Sequence, residues 1–154
     1  DKGGIPKESY QNVLNFEFNN LNQVEDLIKK NKNEVAAIIT QPISTPLVKE
    51  VEKPQKNFLS DLRKLADKNN IVLIFDECTS GFRESFGGIH KKYQVEPDIA
   101  MFGKALGNGY AITAIIGRRS VMESAQSTFI KSSAVGPCCH IVVYGWLPPL
   151  RSSK

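Results

Sequence analysis

An α/β fold with a mostly parallel sheet flanked by helices is what this sequence predicts, on three observations. Apolar runs of strand length recur along the 154 residues, as in VAAIIT (35–40), IVLIF (71–75) and YAITAIIG (110–117). Amphipathic helical patterns stand between them, in the strand, helix, strand, helix, strand order of βαβ units. The runs are unbroken, as in strands of a parallel sheet that are covered on both faces.

Each element has its own local reason. Apolar and polar residues alternate from Leu14 to Phe18 in VLNFEFNN, which predicts a short first strand. Asn19 or Asn20 then supplies a side-chain acceptor for the free N–H groups of a helix start. Leu21, Val24, Leu27 and Ile28 follow at helical spacing, and VAAIIT is the next strand. QPISTPLVKEVEKP holds three prolines and reads as a loop. Phe58, Leu59, Leu62, Leu65 and Ala66 recur at intervals of three and four, so KNFLSDLRKLADKN is an amphipathic helix. IVLIF is the following strand, PDIAMFG a shorter one and YAITAIIG another, after which RRSVMESAQ starts a helix.

Composition narrows the function. Apolar content of 41% and charged content of 23% suit a globular domain. The 20 basic and 16 acidic residues are scattered, with no Lys/Arg stripe interleaved with aromatics, which argues against nucleic acid as a partner. No apolar run approaches the roughly 20 residues that span a bilayer, so no membrane partner is expected. Three cysteines, Cys78, Cys138 and Cys139, give an odd count without framework spacing, which points to a reducing, cytoplasmic setting. Cys138, Cys139 and His140 are adjacent, whereas zinc ligands are usually spaced, so no metal is expected there. The first residue is Asp1, and no signal peptide precedes it, which reads as the interior of a longer protein.

Chemistry enters where IVLIF runs into Asp76 and Glu77. An uncompensated buried carboxylate costs several kcal/mol, so an acid carried to the edge of the core needs a cation. Asp76 can be structural, capping the next turn or pairing with Arg83. A second stretch, PDIAMFGKALGNGYAITAIIG, places Lys104 at the end of another short strand, ahead of Gly107 and Gly109. Glycines there permit positive φ and close approach of backbone to a ligand. The spacing fits neither a Walker loop nor G-x-G-x-x-G. An acid and a lysine on neighbouring strand ends are either an ion pair or two arms on one cofactor. Pyridoxal phosphate needs both arms, an amine for its aldehyde and a carboxylate for its ring nitrogen.

IVLIFDECTSGFR followed by PDIAMFGKALGNGYAITAIIGRRSVM resembles the class III aminotransferases of pyridoxal-phosphate fold type I, within them the glutamate-1-semialdehyde aminomutase-like branch. That family shows F-D-E-V-x-T-G-F-R, then P-D, then G-K-x-x-G-x-G, then G-R-R. Weaker similarity extends the match to residues 3–130 through FLSDLRKLADKNN, VAAIITQP, FEFNNLNQVE and GIPKE. The resemblance implies part of the large, cofactor-binding domain of such an enzyme. It implies Asp76 at the pyridine nitrogen and Lys104 as the Schiff-base lysine. Cys78 stands where the family usually has Val, against one ring face, and Thr79 beside it reaches toward the ring hydroxyl. Glu77 braces the loop. Gln41 replaces the Glu usual before Pro42, and His90 and Arg83 read as loop and surface residues.

The ends depart from the family. Its phosphate-binding turn lies upstream of Asp1, and after STFI the sequence KSSAVGPCCHIVVYGWLPPLRSSK does not resemble it. Residues 1–130 therefore read as a partial large domain, and 131–154 as the tail of a truncated or frame-shifted fragment that is inactive alone. The implied activity moves an amino group between a small-molecule amino donor and a carbonyl acceptor, by an aminotransferase or aminomutase that is a homodimer at full length. A non-catalytic remnant, and a decarboxylase or racemase of the same fold type, use the same two residues and stay open at this point.

Overall fold

The computed structural model describes residues 6, 11–45, 50–127 and 141–146, without the side chains of 124–127 and 141–146. Its helices are α1 (Leu21–Lys30), α2 (Phe58–Lys68), α3 (His90–Tyr93) and α4 (Arg119–Ser127). Its strands are β1 (Ala37–Thr40), β2 (Val72–Asp76), β3 (Ile99–Phe102), β4 (Ile112–Gly117) and β5 (Ile141–Trp146). Asn20 caps α1, its side chain accepting from the Gln23 N–H at 3.1 Å. Lys29 and Lys30 lie in the last turn of α1, where the helix dipole favours cations.

The five strands lie in the order β1-β2-β3-β4-β5. β1 with β2, β2 with β3 and β4 with β5 are parallel, and β3 with β4 is antiparallel, so the sheet is mostly parallel, as the sequence predicts. Thr40 pairs with Phe75 and Asp76 with Met101, so the carboxyl ends of the first three strands share one edge of the sheet. β4 runs the other way, so the connection from Phe102 to Ile112 turns back at that same edge.

The main core lies between α1, α2 and one face of β1 and β2, where Leu62, Ala66, Leu73 and Phe75 are fully buried. Leu73 and Phe75 alternate with half-buried Val72, Ile74 and Asp76, so Asp76 belongs to the face opposite this core. The expected cover on both faces is thus met on one face among the described residues. A smaller cluster of Ala100, Phe102 and Ala114, with Phe82, Leu106 and Ile116, sits under the turns at the strand ends.

Two expectations need correction. Leu14 to Phe18 is not a strand. The alternation there comes from Phe16 and Phe18 turning onto the core, Phe18 edge-on to Phe58 at 5.3 Å, while Leu14 stays exposed. The short helix α3 has no apolar period in the sequence to announce it. No helix among the described residues is long and apolar enough to cross a membrane.

Buried Asp98 ties the opposite edge together. Its carboxylate accepts from Arg63 Nη1 and from the Leu73 N–H, each at 2.7 Å, and Arg118 Nη1 lies 3.2 Å away. One side chain thereby joins α2, β2, β3 and the residue after β4. Asp98→Ala leaves the buried Leu73 N–H unpaired and takes from half-buried Arg63 one of its two carboxylate partners, Asp67 being the other, so it should cost about 2 kcal/mol. Asp98→Asn, which keeps an acceptor, should cost less. Urea unfolding of the two variants checks the order.

Candidate active site

β2 ends on Asp76, and the chain then turns through residues 77–83. Asp76 Oδ1 accepts from the Cys78 N–H at 3.0 Å, a local bond of the kind short acidic side chains make at turns. Arg83 does not pair with it. The Arg83 Nε–H donates to the Thr79 carbonyl at 2.6 Å, and the side chain is exposed, as expected of a surface residue. Among the described residues, no Lys or Arg lies within ion-pair reach of the Asp76 carboxylate, which is half-buried.

Lys104 follows β3 by one glycine and opens a short 3-10 turn, Lys104–Leu106. Its Nζ donates to Thr79 Oγ1 at 2.6 Å. Cys78 lies between the acid and the amine. Burial first, then a hydrogen bond to and the charge of Asp76, push its thiol above the ordinary value of 9.0, with Lys104 acting weakly the other way. A Cβ on Gly103 would stand 3.6 Å from Cys78 Sγ, so the lysine backbone closes against the thiol. Asp76, Cys78, Thr79 and Lys104 therefore form one cluster at one edge of the sheet.

The Lys104 backbone lies in the left-handed region at φ 45°, a conformation that costs a non-glycine residue about 1–3 kcal/mol and that concentrates at functional sites. The turn behind it explains both glycines. A Cβ on Gly107 would overlap the Tyr110 carbonyl oxygen, and Gly109 has φ 100° with open space around it.

Glu77 is fully buried and bonded to the Ile89 and His90 N–H groups, which agrees with a bracing role. His90 corrects the surface reading, because it is fully buried with its Nδ1 on Glu77 Oε1. The signal available in the sequence was Glu77, read as a loop brace, thirteen residues before the histidine with Gly87 and Gly88 between them. Gln41, one residue beyond β1, accepts through Oε1 from the Thr45 N–H at 3.0 Å and from Thr45 Oγ1 at 3.1 Å. It caps its own loop as a neutral group. Cys138, Cys139 and His140 lie outside the described residues, as does the tail apart from β5.

The carboxyl edge of this mostly parallel sheet thus carries an acid at the end of β2 and a lysine just after β3. The chain belongs to the aminotransferase class-III family, whose family model matches residues 5–132. It is 41% identical over 133 residues to 3-aminobutyryl-CoA aminotransferase of Cloacimonas acidaminovorans (strain Evry), over 86% of this chain and 32% of that protein. It is 41% identical over 123 residues to glutamate-1-semialdehyde 2,1-aminomutase 2 of Lachnoclostridium phytofermentans, over 80% of this chain and 28% of that protein. The chain thus spans about a third or less of the curated relatives it matches. Its fold is similar to the PLP internal aldimine form of the FumI protein of Sphingopyxis sp. MTA144, with a TM-score of 0.72 and 25% identity over 76% of this chain and 28% of that one. The family resemblance read from the two motifs is borne out.

The raised thiol gives a pH prediction. Because its folded value lies above the unfolded one, the contribution of Cys78 to stability is fully present below 9.0 and is lost as pH rises through the folded value. Alkylation of Cys78, followed by peptide mapping against pH, should show a midpoint above 9.0. Asp76→Asn should lower that midpoint. A midpoint that stays put would remove Asp76 as a cause.

Proposed function

We propose that this chain is part of the large domain of a pyridoxal-phosphate-dependent aminotransferase or aminomutase. The observation that carries the reading is the Asp76 carboxylate, held at a strand end without a basic partner among the described residues, in the turn whose Thr79 receives the Lys104 amine. A half-buried acid in that state suits a cation that comes with a ligand, and a pyridinium nitrogen is such a cation. Asp76 would hold the ring nitrogen, Lys104 the aldehyde carbon, Cys78 one ring face and Thr79 the ring hydroxyl. The amino-transfer names of the curated relatives favour this reading over a decarboxylase or racemase.

When bound, pyridoxal phosphate supplies an electron sink for the pair left as a Cα–H bond breaks. The protein's share is positional and electrostatic. Asp76 would hold the ring nitrogen with a carboxylate already in place, so little solvent would have to reorganise there during the reaction. Lys104 Nζ, displaced from the aldehyde carbon by the substrate's amino group, would then be free to take the Cα proton and return it. Thr79 Oγ1 is the acceptor that orients the lysine amine between those events. The substrates on this reading are a small-molecule amino donor and a carbonyl acceptor. The parent enzyme is a cytoplasmic homodimer, residues 1–130 belong to its cofactor-binding domain, and 131–154 stand apart from the family pattern.

Two measurements test this. Borohydride reduction with cofactor present should fix a pyridoxyl group on the peptide FGKALG, and Lys104→Ala should abolish it. Label on another lysine alone would sink the assignment. Asp76→Asn in the parent enzyme should leave melting nearly unchanged. Two unit charges about 4 Å apart interact by about 4 kcal/mol at an effective dielectric near 20, so single-turnover amino transfer should fall by up to about a thousandfold. Normal turnover with a lowered melting point would refute the cofactor role.

A further inference from the structure

Directly after Asp76 stands a second acid for which amino transfer has no direct use. Glu77 is fully buried, and no Lys or Arg among the described residues pairs with it. Its carboxylate accepts instead from the Ile89 N–H at 2.6 Å and the His90 N–H at 3.2 Å, and His90 Nδ1 meets its Oε1. His90 is equally buried, and its Nε2 has no hydrogen-bond partner among the described residues. Glu96 Oε2 lies 4.0 Å from that nitrogen, beyond hydrogen-bond range. Of the two ring nitrogens, Nδ1 is thus the one with a partner among the described residues.

The pair is closely fitted. At Gly88, with φ 116°, a Cβ would stand 2.7 Å from the His90 ring and 3.0 Å from Glu77 Oε1. The Glu77 main chain is fixed as firmly as its side chain. Its N–H donates to the Met101 carbonyl at 2.9 Å, and its carbonyl accepts from the Gly81 N–H at 2.8 Å. A Cβ on Gly81 would come within 2.7 Å of that carbonyl oxygen and 2.6 Å of the Phe102 ring. One residue is thus tied to α3 through its carboxylate and to β3 and the 77–81 turn through its backbone. Its neighbours in the chain are Asp76, Cys78 and Thr79.

We propose that Glu77 and His90 act as one buried positioning unit that sets Asp76, Cys78 and Thr79 against Lys104; this rests on reading that cluster as the pyridoxal-phosphate site. Neither residue belongs to the reacting groups. Their effect runs through the turn, where a displacement of about 1 Å is enough to cost a large rate factor. Asp76 is held to the turn by the Cys78 N–H, and Lys104 by Thr79 Oγ1, so both arms of the site move if the turn moves.

The test compares Glu77→Gln, His90→Leu and His90→Asn with wild type in the parent enzyme, each checked for a cooperative melt. Asn places a side-chain N–H where Nδ1–H stands, and Leu does not. In the cofactor-free enzyme, Glu77→Gln and His90→Leu should speed alkylation of Cys78 about tenfold, as expected for losing a buried hydrogen bond, while His90→Asn should stay within about twofold of wild type. With pyridoxal phosphate added, the absorbance band of the bound cofactor and the borohydride label at Lys104 should follow the same order. If His90→Leu does not fold, Glu77→Gln against His90→Asn carries the comparison. Equal Cys78 rates in all folded variants, or no advantage of Asn over the disruptive variants, overturns the positioning role. Label at Lys104 in wild type with equal rates overturns that role and leaves the cofactor reading standing. Absence of label in wild type overturns the cofactor reading and the role that rests on it, even where Cys78 rates depend on the pair.

Discussion

Asp76 pairs with Met101 across the parallel ladder of β2 and β3, and the Glu77 N–H extends that ladder onto the Met101 carbonyl. This register decides where the acid stands relative to the lysine, because Lys104 follows Met101 by only three residues in the sequence. A slip of one residue would turn Asp76 toward the α1–α2 core and send Phe75 to the open face. Leu73 and Phe75, fully buried against α2, oppose such a slip with apolar area. The placement of a polar group thus depends on hydrophobic packing at its neighbours.

Three acids near the sheet are satisfied in three ways. Asp98 is met by two guanidinium groups and a backbone N–H, a complete arrangement that leaves nothing for a ligand. Glu77 is met by two backbone N–H groups and an imidazole. Asp76 has one backbone N–H and, among the described residues, no cation. Only the third is incomplete, and it is the one at the carboxyl edge where α/β sheets bind ligands.

Much of this was legible in the sequence because periodicity and capping are local. α1, α2 and the strands β1 to β4 follow from runs of apolar residues, and Asn20 caps as its type suggests. Asp76 and Lys104 stood out because a charge at the end of an apolar run is costly without a reason. The segment from Leu14 to Phe18 misled, since period two fits any extended chain with one face on a core, paired or not. His90 misled for another reason: its burial depends on Glu77, thirteen residues earlier, and on the room left by Gly88. The direction of β4 was also hidden, because an apolar run carries no sign of which way it is threaded.

That direction has a consequence for how the molecule assembles. β3 and β4 are antiparallel neighbours joined by a single turn-back from Phe102 to Ile112, so the lysine sits in a hairpin connection. β2 and β3 are parallel, and the chain must travel from Asp76 through α3 before Ile99 can align beside Ile74. Closing the shorter loop sacrifices less chain entropy. The lysine segment is therefore a local contact that can form early, whereas the acid reaches it only when the longer-range ladder closes. Topology alone thus favours closing the lysine turn before the acid is brought beside it, since the shorter connection closes at the smaller entropic cost.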